Sequence, residues 1–203
     1  MSTPATLRIE RLTPERRADY LAFFDHERGP AFADNPEWAK CYCHYYQVPV
    51  ALTWRDFDGV ANRMAMDARI AAGEMEGYMA YDGDEVVGWM NAQPYTKLRH
   101  ACTRLRIAPT KLPVPAHNAA AIVCFVIPPQ RRRQGVATSL LAGGLANLTA
   151  RGIALVDAFP WNTAADATSA ADHYHGTMSM FVHAGFESVV RHDDLTVVRK
   201  MLR

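Results

Sequence analysis

The chain of 203 residues has no long apolar run: the longest, Ala119 to Ile127, spans nine residues and ends at Pro128 and Pro129. A spanning helix needs about 20, so no transmembrane segment is predicted. The opening residues MSTPATLRIERL also lack the apolar stretch of a signal peptide, which predicts a cytoplasmic protein with reduced thiols. Cysteine is scarce. Cys41, Cys43, Cys102 and Cys124 are unevenly spaced in a long chain, unlike the framework of a disulfide-stapled domain, and no structural disulfide is predicted. Neither sign of charge dominates, with 22 Lys plus Arg against 21 Asp plus Glu. That balance speaks against a nucleic-acid or membrane coat, so any bound anion is held locally. Repeats, low-complexity tracts and linkers are absent as well. The chain reads as one domain, residues 1–203, and at this size it buries roughly 70% of its unfolded surface without metal or disulfide support.

What is present alternates between two periods. A short strand over 6–10 precedes a helix over 14–26, opened by Thr13-Pro14. Thr53 and Asp56 suggest a capping box for a second helix, with Phe57, Val60, Ala61, Met64 and Ala68 as its repeating apolar positions and Gly73 as its stop. Between them, PEWAKCYCHYYQVPV shows neither period and reads as an irregular, aromatic-rich segment. Residues 77–91 form a hairpin around Asp82-Gly83. Residues 92–118, with four prolines and five cations (Lys97, Arg99, Arg104, Arg106 and Lys111), form a long connection, part of which is predicted to border the active site. Ala121 to Ile127 and Ile153 to Phe159 read as buried strands. Between them a helix opens near Gly135, with Val136, Leu140, Leu141, Leu145 and Leu148 on its buried face. A short helix around Met178, Phe181 and Val182, closed by Gly185, leads into strands at 186–191 and 195–201. The order β-α-α-β-β-β-α-β-α-β-β predicts an α/β fold on a mostly antiparallel sheet.

The strand, basic loop and helix over FVIPPQRRRQGVATSLL place free backbone N–H groups at the positive end of a helix dipole, a geometry that binds pyrophosphate. Gly135 lets backbone approach the anion, Ala137 keeps the first turn uncrowded, and Arg131, Arg132 and Arg133 add charged hydrogen bonds. This segment resembles the acetyl-CoA-binding motif of the GNAT N-acetyltransferase superfamily, in which an Arg or Gln is followed after two residues by Gly and after one more by Gly or Ala. Arg132, Gly135 and Ala137 fill that pattern. MFVHAGFESVV is similar to the family's next helix end and strand, and YMAYDGDEVVGWMNA to its second and third strands, so the resemblance covers about residues 73–202.

The resemblance implies a mixed, mostly antiparallel sheet with splayed central strands flanked by helices, and direct transfer of an acetyl group from acetyl-CoA to the primary amine of a small molecule or peptide. Residues 73–203 would be the acetyl-CoA-binding core and residues 1–72 would hold N-terminal helices and the acceptor segment. A homodimer is implied too. Expected cofactor contacts are Arg132, Arg133, Gln134, Gly135, Val136, Ala137, Thr138, Asn162 and Phe181, with Val126 or Ile127 turning a backbone N–H to the thioester carbonyl.

One departure is plain: Phe181 stands four residues before Gly185, where many members carry an acidic tyrosine, and Phe181 cannot donate a proton. Tyr174 is the first substitute, with His173, His175 and His183 nearby, and a thiolate can also leave unassisted. No base is evident on the strand that carries Cys124, which reads as a core thiol. Asp157 is the better carboxylate if it faces the splay. Trp38, Tyr42, Tyr45, Tyr46 and Trp54, with Trp89 and Tyr95, form an aromatic set that suits a cationic amine or simply packs the core. The absence of an acidic run argues against a polycationic acceptor. Cys41, Cys43 and His44 do not predict zinc, since a single residue separates the cysteines where structural sites use about two to four; no metal is expected. The missing acid and base leave a second possibility, a CoA-binding sensor of the same fold without turnover.

Overall fold

The computed structural model describes residues 7–25, 39–106, 112–162 and 173–203. Seven strands form one sheet: β1 (Arg8–Arg11), β2 (Tyr78–Asp82), β3 (Glu85–Pro94), β4 (Ala119–Val126), β5 (Leu155–Ala158), β6 (Glu187–Arg191) and β7 (Thr196–Met201), in spatial order β1-β2-β3-β4-β5-β7-β6. Every neighbouring pair is antiparallel except β4 and β5. A parallel pair requires a crossover. Here it is the helix Val136–Ala150.

Among the described residues five α-helices flank the sheet: α1 (Arg17–Phe24), α2 (Gly59–Ala71), the single turn α3 (Ala101–Arg104), α4 (Val136–Ala150) and α5 (Met178–His183). One face packs Tyr20, Phe24, Met66 and Ile70 of α1 and α2 against Trp89, Ala121 and Cys124. The other packs Leu140, Leu141 and Leu145 of α4 and Phe181 of α5 against Met90, Ile122 and Phe125. Covered on both sides, β4 is buried along its whole length, which is why its sequence is an unbroken apolar run. Close approach of α4 to β1 uses Gly143, where a Cβ would lie 2.7 Å from Ile9 Cβ.

The phase of α2 differs from the sequence expectation. Its cap is Asp58, which accepts the Ala61 N–H at 2.7 Å, and Thr53 caps nothing. Val60 and Met64 are two-thirds exposed, while Asn62, Met66 and Ile70 are buried. Asn62 sets that phase: its Oδ1 lies 2.8 Å from His44 Nδ1 and its Nδ2 donates to the Lys40 carbonyl. A buried polar side chain with two partners outweighs the apolar period here.

Strand β3 runs on to Pro94, three residues past the expected end at Asn91. The cations that follow brace the fold rather than border the candidate site. Lys97 donates to Glu76 at 2.7 Å and Arg104 to the carbonyls of Val48, Pro49 and Leu52; Lys111 lies outside the described residues. Among the described residues no helix is long and apolar enough to cross a membrane.

Candidate active site

Strands β4 and β5 pair only from Ala119↔Leu155 to Ile122↔Ala158. Beyond that point β4 continues to Val126, while the chain leaving β5 turns to β7, where the Thr196 N–H donates to the Pro160 carbonyl and Trp161 bridges Leu195. The strands therefore part at Ile122 and leave one edge of β4 without its neighbour. Asn91 opposes Cys124 and Ala92 opposes Ile122, so β4 bulges at Val123 where the two strands separate.

A cavity of about 710 Å³ opens beside the end of β4. Phe125, Val126 and Ile127 form its floor, the loop 131–133 and the first turn of α4 form one wall, and His173, Tyr174, Gly176, Thr177, Met180 and His183 form the other. Gly135, the residue before α4, has φ +82°, and a Cβ there would meet nothing within 4 Å. No described side chain caps α4, so the N–H groups of its first turn face the cavity without an acceptor. Unsatisfied donors at the positive end of a 15-residue helix suit an anion. Val136, Ala137 and Thr138 contribute that turn.

The three arginines divide their work. Arg131 bridges Asp82 and Glu85 in the hairpin of β2 and β3, and Arg132 Nε donates to the Ile127 carbonyl at 2.9 Å, tying the loop to the end of β4. Arg133 is exposed, has φ +61°, and makes no hydrogen bond or ion pair among the described residues. Arg133 thus offers a cation to the cavity beside Arg132, which lines the cavity too. Gln134 is exposed and returns its amide to the Gln130 carbonyl.

The β4 edge is partly covered from a direction that sequence gave no hint of. The Phe125 N–H donates to the Tyr174 carbonyl, so segment 173–177 lies on the open edge. Backbone groups alternate along a strand, which turns the Val126 N–H toward β3, where Val126 opposes Trp89. Of the two residues considered for a thioester-facing N–H, Ile127 remains and Val126 lines the floor.

Several sequence candidates are structural. Asp157 has no exposure and is closed by Arg199 at 2.7 and 2.9 Å and by the Tyr95 hydroxyl at 2.7 Å. Both its oxygens are engaged inside the sheet, and it does not line the cavity. Asn162 donates to the His192 carbonyl and accepts from Thr196 Oγ1, each at 2.6 Å, so it pins the turn between β6 and β7 rather than facing the cavity. Trp89 is buried among Tyr20 and Phe24 and gives its indole N–H to Cys43 Sγ at 3.2 Å. Tyr42 is buried with its hydroxyl on Asp25. Both pack the core, the alternative reading of the aromatic set. Phe181 is buried between Phe125 and Phe186 behind the cavity. Trp38 lies outside the described residues.

Tyr45 and Tyr174 are half-buried. Tyr45 sits edge-on to Tyr46 and Trp54 under the Arg104 guanidinium. Burial pushes the Tyr174 phenol above its usual range. The buried Tyr46 hydroxyl lies 2.7 Å from His175 Nε2, and His175 Nδ1 lies 2.8 Å from the Phe159 carbonyl. His175 stacks on Trp161 at 4.6 Å and meets Tyr174 edge-on. Burial lowers its pKa to about 4. Tyr46 and His175 had no distinguishing motif; their meeting depends on elements 129 residues apart. Among the described residues no group of His, Cys, Asp and Glu is arranged to hold a metal ion.

A family model for the GNAT acetyltransferases matches residues 49–170. The chain belongs to the GNAT acetyltransferase family. No curated protein matches it. Solved GNAT-type structures share the fold at low identity. The GNAT domain of S. lividans PAT superposes with TM-score 0.55 at 16% identity, covering 97% of this chain and 90% of that one. An N-acetyltransferase from Staphylococcus aureus Mu50 gives 0.53 at 13%, covering 98% and 99%. The PaiA N-acetyltransferase of Thermoplasma acidophilum, solved with coenzyme A, gives 0.52 at 10%, covering 97% and 99%. This GNAT chain therefore keeps the family fold.

Proposed function

We propose that the protein is an N-acetyltransferase that moves an acetyl group from acetyl-CoA directly to the primary amine of a small molecule or peptide. The observation that carries this reading is the uncapped first turn of α4 beside Gly135, opening on a cavity at the parted end of β4. Orphaned N–H donors and open space at Gly135 fit a pyrophosphate, and Arg133 adds a free cation at the rim. Bound acetyl-CoA would supply an activated thioester carbonyl. Ile127 would turn a backbone N–H to that carbonyl, and Tyr174 is the proton-bearing group on the facing wall. Residues 73–203 form the cofactor half in this reading, and residues 1–72 contribute the acceptor side, where Tyr45 is the remaining aromatic candidate. Placement in the cytoplasm and pairing as a homodimer belong to the same reading and are checked by fractionation and sedimentation.

The test is titration calorimetry with acetyl-CoA, followed by thiol release with phenethylamine, alanine amide and a peptide bearing a free N-terminus. Binding with thiol release from any of these supports the enzyme. Binding with no release from all three supports a CoA-binding sensor, the reading that Phe181 at the acid position favours. Absence of binding overturns both.

A further inference from the structure

We propose that His183, the last residue of α5, binds a phosphate monoester and takes up a proton as it does so, which makes the cavity select coenzyme A over its 3′-dephospho form. This rests on the acetyl-CoA reading of the cavity and goes beyond it, because the uncapped turn of α4 accounts only for a diphosphate.

Charge along the cavity is the starting point. Arg131, Arg132, Arg133, His173 and His183 line it, and no described carboxylate does. Arg131 is neutralised by Asp82 and Glu85, and the other two arginines stand beside the first turn of α4. The imidazoles belong to the opposite wall. A space of about 710 Å³ is of the size that encloses most of a cofactor, so a ligand held at α4 also meets α5. Coenzyme A carries two kinds of phosphate: a diphosphate within its chain and a monoester on the 3′ oxygen of its ribose. A monoester is close to dianionic at about pH 7.5. With the diphosphate at α4, the monoester is the anion left for the wall that holds the imidazoles.

Hydrogen-bond direction singles out His183. It is exposed, and its Nδ1 lies 2.6 Å from the Ser179 carbonyl one turn earlier. A carbonyl only accepts, so Nδ1 carries the imidazole proton and Nε2 is left to the cavity side without a hydrogen bond among the described residues. In the neutral ring Nε2 is an acceptor and repels a phosphate oxygen; in the imidazolium it donates to one. A dianion beside Nε2 favours the charged ring, so the anion and the proton bind together. Ser179 adds a hydroxyl on the same helix face, 3.2 Å from that of Thr177. The balance is one solvent proton taken up for each monoester bound, with no bond of the ligand made or broken. The other titratable or charged groups are His173 and Tyr174 on the same wall, Arg132 and Arg133 across the cavity, and Lys200, whose ammonium holds the adjacent Ala184 carbonyl. None supplies a carboxylate, so the counter-ion of the imidazolium comes from the ligand.

Titration calorimetry of the whole chain at about pH 7.5, where a free imidazole is mostly neutral, reads affinity and protons together. Across buffers of different ionisation enthalpy, the wild type should take up roughly 0.5–1 proton per coenzyme A bound and none with 3′-dephospho-coenzyme A. The dephospho form should bind roughly 10-fold more weakly, the scale of one charge-assisted hydrogen bond. His183→Gln should bind coenzyme A as weakly as the wild type binds the dephospho form, lose the proton uptake, and keep its affinity for the dephospho form within about 2-fold. An exposed position leaves the fold in place, and the two-ligand comparison on the wild type needs no variant. Equal affinity of the wild type for the two ligands overturns the site while leaving the acetyl-CoA reading intact. Selectivity or proton uptake that survives in His183→Gln assigns the monoester to another group and overturns the role of His183. If the wild type binds neither form, the cofactor reading falls and the site falls with it.

Discussion

The two walls of the cavity are made of different material. On one side, the loop 131–133 and the first turn of α4 present backbone N–H groups, contributed by residues contiguous in the chain. On the other, Tyr174 meets His175 edge-on, and His175 joins Tyr46, a side chain from a distant segment, while Phe159 and Trp161 hold the imidazole. A backbone wall needs only a strand, a Gly at positive φ and a helix start, and its properties are local. A side-chain wall depends on which residues meet after folding. The first is robust to most substitutions, and the second is sensitive to single atoms.

The sharpest way to break that contrast is Gly135→Glu. It puts a carboxylate at the helix start, where opposing an anion at about 4 Å costs roughly 4 kcal/mol near a protein surface. Acetyl-CoA binding in calorimetry should fall by more than about 100-fold. The open space around Gly135 leaves the fold in place at a cost of roughly 1–2 kcal/mol for a side chain at positive φ. Retained affinity would mean that the backbone wall is not the anion site.

Tyr174→Phe acts on the other wall. It should lower kcat by roughly 100-fold with little change in acetyl-CoA affinity. An equal loss in both would place Tyr174 in cofactor binding and merge the two walls.

Stability against pH sharpens the contrast without any ligand. Burial lowers the folded pKa of His175 to about 4 from an ordinary 6.5. Between those values the unfolded chain binds the extra proton, so stability falls as pH drops from 6.5 toward 4, by about 3 kcal/mol in all. Denaturant unfolding should show that slope in the wild type and lose it in His175→Gln; an unchanged slope would assign it elsewhere. Glu76 adds a lower window. Its burial would raise its pKa, but hydrogen bonds and charge from Lys97 and Arg151 outweigh this and leave it lowered, so its contribution is present above the ordinary carboxylate range and lost as pH falls through the lowered value.

The smallest effect tests the phase of α2. Met64→Lys, on a side chain 65% exposed, should change stability by less than about 0.5 kcal/mol, whereas Met66→Ala, fully buried, should cost about 2–5 kcal/mol. Reversal of that order in urea unfolding would restore the apolar-period face.

How much of this was legible follows the same division. The apolar run of β4, the Asp-Gly hairpin, the buried stripe of α4 and Gly135 could be read directly, because each obeys a short-range rule of backbone geometry or period. Asn62 reversed the face of α2 because two partners from the preceding segment outweighed the period. The division of work among the three arginines was not legible, because it depends on which of them the hairpin carboxylates and the Ile127 carbonyl engage. Asp157 was a reasonable carboxylate until β7 brought Arg199 beside it.

The order of elements, the strand-loop-helix cradle and the family pattern are properties of the sequence itself, because backbone conformation and nearest-neighbour chemistry act over a few residues. Tertiary structure alone decided that segment 173–177 covers the edge of β4, that Asp157 is neutralised in the sheet, and that Tyr46, Tyr174 and His175 meet. Tautomer, basicity and the direction of a hydrogen bond are set by burial and by partners far away in the chain, and those exist only once the sheet has closed.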